Sequence, residues 1–174
     1  MDSLDHKEVR SKIRHPALRD AYDADWYWPL ELTAEHKKLA GVKRAIKEGW
    51  SEWIETEEDI EAIRKGYVYD LSSDKTGRTI YWHKGRWVRY ASKNSTKLTE
   101  VSEEDVGHVG AGDHACRFAE LFLKHTKDPL RGDPYRFIHW QRKVALCLFG
   151  WVRFTEDVKG RNVRYRRFLE AMLE

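Results

Sequence analysis

The sequence predicts an α+β fold, with a helical N-terminal half and a β-hairpin followed by helix–strand elements. Apolar residues recur at helical spacing in the first third of the chain, alternate in the middle, and return to helical spacing near the C-terminal end. We therefore divide the chain into a helical region at residues 1–66, a β-hairpin with a polar connector at residues 67–112, and a third region at residues 113–174.

The first region carries start and stop signals for helices. Pro16 suits the first turn of a helix, and Thr33 suits the N-cap of a second helix that runs to Gly49. The apolar stripe of that second helix consists of Leu39, Val42 and Ile46. Thr56, followed three residues later by Asp59, predicts a capping box at the start of a third helix.

The middle region predicts a β-hairpin over "TIYWHKGRWVRY", with its turn at Lys84-Gly85. Aromatic and basic side chains alternate there, which leaves two interpretations open. Arg86, Trp87 and Arg89 would contact nucleic acid in one of them. In the other, the aromatic rings cover a core and the charges face water. The polar, glycine-containing residues 92–112 predict a connector.

Helical spacing resumes in the third region. We expect a helix capped by Asp113 and a second helix at residues 139–151, followed by a turn into a strand at residues 160–173. The predicted buried stripes are Ala115, Phe118, Ala119 and Phe122 on the first helix, and Trp140, Val144, Ala145 and Leu148 on the second.

Composition and charge narrow the class of protein. The aromatic share is 13%, enough for a real core, and no apolar run approaches the roughly 20 residues that span a bilayer. We expect no membrane association and no secretory signal, with Cys116 and Cys147 as buried thiols of an intracellular protein. The net charge is +3, and residues 136–174 hold nine basic against four acidic residues. That stretch suits either a phosphate-bearing partner or a solvated basic face.

Familiar catalytic motifs are missing from the sequence. No glycines fit the Gly-x-x-x-x-Gly-Lys-Ser/Thr loop that wraps phosphates. Asp113, His114 and Cys116 lie close together, but no second cluster supplies further ligands at zinc spacing. Cys147 lies among apolar residues, which favours an inert thiol over a nucleophile.

One long stretch resembles a known family. It reads "FAELFLKHTKDPLRGDPYRFIHWQRKVALCLFGWVR" from Phe118, and "GRNVRYRRFLEAMLE" follows from Gly160. The order of a helix, a glycine-containing turn, an aromatic-rich segment, a Trp-Gln step and a Leu-Phe-Gly-Trp helix end is similar to the N-terminal ATPase region of the large terminase subunit of tailed phages. That subunit is the motor that packages viral DNA into procapsids. Upstream, "EAIRKGYVYDL" also resembles an element of this family.

The resemblance implies roles for particular residues. Gln141 would read the adenine of ATP, since a carboxamide matches the N6 and N7 edge of that base. Trp140, Tyr135 and Phe137 would shape the base pocket. In the alternative of a binding module, which depends on charge and not on the resemblance, three arginines of the last segment would contact nucleic acid: Arg164, Arg166 and Arg167.

The resemblance also implies a wider context. The complete protein would use ATP and Mg²⁺, would bind double-stranded DNA, the portal protein and the small terminase subunit, and would work in the host cytoplasm. Its last strands would join the parallel sheet of a P-loop ATPase. The family turn usually reads Trp-Ala-Gly, where this chain has Leu130-Arg131-Gly132. The resemblance places the Walker A loop just beyond Glu174, so residues 113–174 would hold only the adenine side of the site.

Three functions follow as expectations. The first is a motor fragment that is inactive alone, because the Walker A, Walker B and nuclease motifs are lacking. The second is a non-enzymatic module, related to a terminase, that binds nucleic acid or a protein. The third is a terminase-derived protein that interferes with assembly. A final strand at an open sheet edge would promote self-association in any of the three.

Overall fold

A computed structural model describes residues 6–127 and 129–168 and confirms the predicted α+β fold. The chain forms two compact units. Unit 1 combines residues 1–69 with residues 151–174, and unit 2 consists of residues 70–150. Within the described residues, each unit contains one antiparallel sheet.

The described part of the chain contains seven α-helices and eight strands. The helices are α1 (His6–Lys12), α2 (Pro16–Asp23), α3 (Ala34–Lys38), α4 (Ala40–Glu48), α5 (Glu57–Arg64), α6 (Ala111–Phe122) and α7 (His139–Gly150). The strands are β1 (Val68–Tyr69), β2 (Ser72–Asp74), β3 (Thr79–His83), β4 (Arg86–Tyr90), β5 (Leu98–Glu100), β6 (Val106–His108), β7 (Trp151–Glu156) and β8 (Asn162–Arg166). None of these helices has the length and apolar character needed to cross a bilayer.

The local signals at the helix ends of unit 1 are confirmed. Pro16 opens α2, and Gly49 follows α4 with a φ of +83°. The backbone N–H of Asp59 donates to the Thr56 carbonyl at 3.1 Å, and the Asp59 carboxylate accepts from the Thr56 N–H at 2.9 Å. Thr56 and Asp59 together form the predicted capping box of α5.

The single helix predicted between Thr33 and Gly49 is wrong, because it divides into α3 and α4. Thr33 does cap α3, but Leu39 adopts an extended conformation with φ −63° and ψ +131°. This break ends one helix and begins the next. Within α4, Val42 is buried, while Ile46, predicted to share its stripe, is 48% exposed.

The sheet of unit 1 has the order β1-β7-β8. Tyr69 pairs with Trp151, and Phe154 lies opposite Arg164. The strand predicted within residues 160–173 ends at Arg166, and the backbone turns helical at residues 167–168. The rest of that prediction lies outside the described residues.

The sheet of unit 2 has the order β5-β4-β3-β2-β6 and contains the predicted hairpin. Its turn lies at Lys84 and Gly85, with φ angles of +52° and +81°. The prediction of a connector at residues 92–112 is wrong in part, since β5 and β6 lie within it. Both are three-residue edge strands with partly exposed side chains. Their polar composition is therefore also typical of a connector, which is why the sequence did not indicate strands there.

The predicted buried faces of α6 and α7 are wrong in part, because only Ala119 and Ala145 of the predicted residues are buried. Gly110, not Asp113, is the N-cap of α6, and Asp113 lies buried within the first turn. The exposed apolar side chains include Phe118, Phe122, Trp140, Val144 and Leu148. The buried side chains of the two helices include Asp113, Cys116, Ala119, Glu120, Arg142, Ala145 and Leu146. Several of these inward-facing residues are charged, so a search for apolar stripes recognised only part of each buried face.

Candidate functional site

The segment between α6 and α7 folds back on itself through backbone hydrogen bonds. The Tyr135 N–H donates to the Leu123 carbonyl at 2.9 Å, and the His125 N–H donates to the Asp133 carbonyl at 2.9 Å. The Gly132 N–H donates to the His125 carbonyl at 2.8 Å. These bonds hold the segment in a hairpin-like loop next to the first turn of α7.

This loop and the start of α7 enclose an open cavity of about 600 Å³ within unit 2. Three apolar side chains and the ring of Tyr135 form part of its wall. Four further side chains bring polar atoms to it: His125, Asp133, Arg136 and Gln141. A mostly apolar wall with a few converging polar groups is typical of a small-molecule site.

Two long hydrogen bonds orient the Gln141 carboxamide at the edge of the cavity. Its Oε1 accepts a hydrogen bond from the Tyr135 hydroxyl at 3.3 Å and another from the Ile138 N–H at 3.4 Å. Because a backbone N–H is a donor only, the atom facing it must be the carboxamide oxygen. The amide nitrogen, Nε2, has no protein partner among the described residues. Gln141 therefore retains two unused donor hydrogens at a cavity wall.

The structure brings together two of the four residues predicted to shape a base pocket. Gln141 and Tyr135 both line the cavity. Phe137 lies behind Tyr135, with the two rings edge to face and their centroids 5.0 Å apart. Trp140 is 38% exposed and is not among the lining residues. The His125 ring, which sequence reasoning missed, extends the aromatic wall at 5.5 Å from Tyr135.

A buried ion pair anchors the turn of α7 that carries Gln141. Arg142 Nη2 donates to Glu120 Oε1 of α6 at 3.1 Å, and Nη1 donates to His83 Nδ1 at 3.3 Å. The other oxygen of Glu120 accepts from Trp82 Nε1 at 2.9 Å. Arg142 and Glu120 are almost completely buried. This pair was not predicted from the sequence.

The turn of the β3–β4 hairpin also contacts a residue of the cavity wall. A Cβ atom placed on Gly85 would lie 3.2 Å from Arg136 Nη1, so the glycine allows the guanidinium to lie close to the turn. The Gly85 φ of +81° independently favours glycine at this position. The hairpin therefore supports Arg136 directly and, through His83, the first turn of α7.

A second polar cluster joins the start of α6 to β2. Ser72 Oγ donates to Asp113 Oδ2 at 2.7 Å and accepts from the Gly110 N–H at 2.8 Å. The Trp82 N–H donates to Asp113 Oδ1 at 3.4 Å. Burial raises the pKa of Asp113 to about 7, and the hydrogen bond from Ser72 opposes that rise.

Cys116, one turn further along α6, is fully buried, and its burial raises the pKa of the thiol. The thiol therefore stays protonated at neutral pH. The predicted burial of Cys116 is confirmed, whereas Cys147 is only partly buried. The neighbour of Cys116 in the sequence cluster, Asp113, belongs to the polar cluster described above. Among the described residues, no group of three or more His, Cys, Asp or Glu side chains could hold a metal ion.

The residues predicted to contact nucleic acid from the β3–β4 hairpin have different environments. Trp87 is 1% exposed, so its ring packs inside unit 2. Arg89 forms an ion pair with Asp74 at 2.7 Å. Arg86 is exposed and lies 3.9 Å from Glu100. Only Arg86 thus presents its side chain openly to solvent.

The predicted nucleic-acid contacts of the last segment lie in unit 1. Arg164 and Arg166 belong to β8, and Arg167 follows the strand. Arg167 Nη1 contacts Asp59 Oδ1 at 2.5 Å, and its guanidinium lies 5.4 Å from the Trp151 ring centroid. Arg167 therefore fastens the end of β8 to the start of α5.

Comparisons of the chain with protein-family models, curated proteins and solved structures found no match. The cavity is a concave site that offers unused polar groups of the described residues.

Proposed function

We propose that the chain is the N-terminal part of the ATPase region of a tailed-phage terminase large subunit, and that its cavity binds the adenine of ATP. The observation that carries this proposal is the fixed Gln141 carboxamide, with its free Nε2 donor beside the Tyr135 ring at the cavity wall. An aromatic surface together with a donor–acceptor amide is the chemistry that an adenine base requires.

The contacts of the carboxamide suggest how the base would bind. Nε2 of Gln141 would donate to adenine N7, which is an acceptor. Oε1 would accept from the exocyclic N6 amine, and its present hydrogen bonds of 3.3 and 3.4 Å are long enough to give way to a better one. The ring of Tyr135 would offer the base an apolar surface to pack on.

The rest of the ATPase machinery belongs to the proposal by resemblance alone. In the complete protein, a glycine-rich loop would hold the phosphates and Mg²⁺ would neutralise their charge. The residues described here offer no group of three or more His, Cys, Asp or Glu side chains that could hold that metal ion. Double-stranded DNA, the portal protein and the small terminase subunit are the partners that this family implies.

A second function is favoured by the β7–β8 hairpin of unit 1. Phe154 is 54% exposed and lies directly opposite Arg164, so both side chains share one face of the hairpin. An exposed aromatic ring beside an arginine suits single-stranded nucleic acid, because the ring can stack on a base while the cation contacts the backbone. A non-enzymatic nucleic-acid-binding module is therefore the alternative proposal.

Binding measurements on the chain test the adenine site. Adenosine and guanosine would be titrated by ligand-detected NMR against wild type, Gln141→Ala and the control His139→Ala. His139 lies on the same first turn of α7 but does not line the cavity. We expect Gln141→Ala to lower adenosine affinity about tenfold, since one or two hydrogen bonds contribute about 1–2 kcal/mol. An adenine preference that survives in Gln141→Ala would contradict the assigned role.

The same preparation tests the alternative. Single-stranded oligonucleotides would be titrated against wild type and Phe154→Ala in a fluorescence anisotropy assay. Loss of oligonucleotide binding in Phe154→Ala, without adenosine binding in wild type, would favour the nucleic-acid module. Adenosine binding that depends on Gln141 would favour the terminase proposal.

A further inference from the structure

We infer that the cavity selects a ribonucleoside 5′-phosphate, with Asp133 reading the ribose hydroxyls and Arg136 binding the phosphate. This inference depends on the proposed function, because it takes Gln141 as the base reader. It adds two residues outside any glycine-rich loop: Asp133, which would select the sugar, and Arg136, which would bind the phosphate.

Asp133 and Arg136 both have unused capacity for hydrogen bonds. Each side chain lines the cavity, and neither carboxylate nor guanidinium has a hydrogen-bond or ion-pair partner among the described residues. By contrast, two arginines elsewhere in unit 2 pair with nearby carboxylates, Arg89 with Asp74 and Arg117 with Glu103. Opposite charges that share a cavity without pairing remain available to a ligand.

Local structure helps to keep the two charges apart. The Arg136 guanidinium lies against the Gly85 turn of the β3–β4 hairpin. Asp133 follows Gly132, whose φ of +88° forms the turn of the loop. The Asp133 carbonyl is fixed by the His125 N–H at 2.9 Å, so the residue's backbone is held while its carboxylate is free.

The three polar groups match the three chemical parts of a nucleotide. The neutral amide of Gln141 suits a base edge, and a carboxylate suits ribose hydroxyls, which are hydrogen-bond donors. A guanidinium suits a phosphate, which it binds through two parallel hydrogen bonds. A 2′-deoxyribose would offer Asp133 one hydroxyl fewer, and a nucleoside would leave Arg136 without its ligand.

Three ligands separate these contributions on the full chain: adenosine, 2′-deoxyadenosine and AMP, titrated by ligand-detected NMR. We expect wild type to bind adenosine about tenfold more tightly than 2′-deoxyadenosine, since hydrogen bonds to charged groups are the stronger ones. Asp133→Asn should bring the two affinities close to equality. We expect AMP to bind wild type about tenfold more tightly than adenosine, and Arg136→Gln to remove that gain.

Two charged side chains of unit 2 that do not line the cavity provide the controls. Arg131→Gln removes a basic side chain of the same loop, and Glu104→Gln removes an acidic side chain of unit 2. Neither variant should change the ratio of the affinities for adenosine and 2′-deoxyadenosine. Neither should change the gain in affinity from adenosine to AMP. Circular dichroism would confirm that each variant is folded. The comparison of the three ligands on wild type does not depend on the folding of any variant.

The outcomes distinguish this inference from the proposed function. Equal wild-type affinity for adenosine and 2′-deoxyadenosine would overturn the role of Asp133, and an AMP gain that survives in Arg136→Gln would overturn the role of Arg136. Either result leaves the adenine site intact if Gln141→Ala still loses base preference. Absence of nucleoside binding by wild type would overturn the adenine site and this inference together.

Discussion

Replacing Asp113 by Asn should remove most of the pH dependence that this residue gives to the stability of unit 2. Its carboxyl has a pKa of about 7 in the folded protein, mainly because it is buried, against an ordinary value of 3.8. Between these two values the folded state holds a proton that the unfolded state has released. The stability of unit 2 therefore falls as pH rises from about 4 to about 7.

The size of the effect follows from the pKa difference. A pKa difference of about three corresponds to a change of about 4 kcal/mol in the free energy of unfolding over the whole pH range. About 3 kcal/mol of this change occurs between about pH 5 and about pH 8. Asn is neutral at every pH and has nearly the same shape. The variant should therefore gain stability relative to wild type by about 3 kcal/mol on going from about pH 5 to about pH 8.

Urea unfolding at the two pH values, followed by hydrogen exchange of peptides from β3 and β4, measures this change in unit 2 alone. Glu52→Gln is the matched control. Burial also raises the pKa of Glu52 to about 7, although the backbone N–H groups of Arg14 and His15 oppose the rise. Its effect should appear in unit 1 peptides. Parallel pH dependences of wild type and Asp113→Asn in unit 2 would refute the assigned pKa.

Three further substitutions test the packing around the site. Gly110→Ala should destabilise unit 2 by about 1–3 kcal/mol, since a Cβ there would overlap the Asp70 carbonyl oxygen; an unchanged urea midpoint would contradict this. Arg142→Met should cost about 3–5 kcal/mol by leaving Glu120 buried without its cation, and adding Glu120→Leu should restore much of that loss in the same titration. Thr56→Ala should cost about 1 kcal/mol through loss of the α5 capping box, which a thermal melt would register as a lower midpoint.

Local rules predicted local structure well. The cap at Thr56, the helix start at Pro16 and the turn at Lys84-Gly85 each depend on residues a few positions apart. Gln141 and Tyr135, which lie six residues apart, were grouped by the resemblance and not by a local rule. Phe137 contacts Tyr135 without lining the cavity.

Features that depend on distant residues escaped the sequence analysis. The inward faces of α6 and α7 are set by Arg142 and Glu120, which neutralise each other, and neither helix reveals this alone. The break at Leu39 likewise has no proline or glycine at that residue to signal it. The free Asp133 carboxylate could not be recognised until the loop and the start of α7 were seen to share a cavity.

The interleaved order of the two units has a consequence for folding. Unit 2 starts and ends on hydrogen-bonded neighbours, because the Asp70 N–H donates to the Gly150 carbonyl at 2.9 Å. In unit 1, β1 cannot pair with β7 until the whole of unit 2 has been synthesised. Closing a disordered loop of roughly 80 residues costs about 4 kcal/mol of free energy. Once unit 2 has folded, its own ends are adjacent and most of that entropy has already been lost. We therefore expect unit 2 to fold first. The sheet of unit 1 should form afterwards, when β7 and β8 pair with β1.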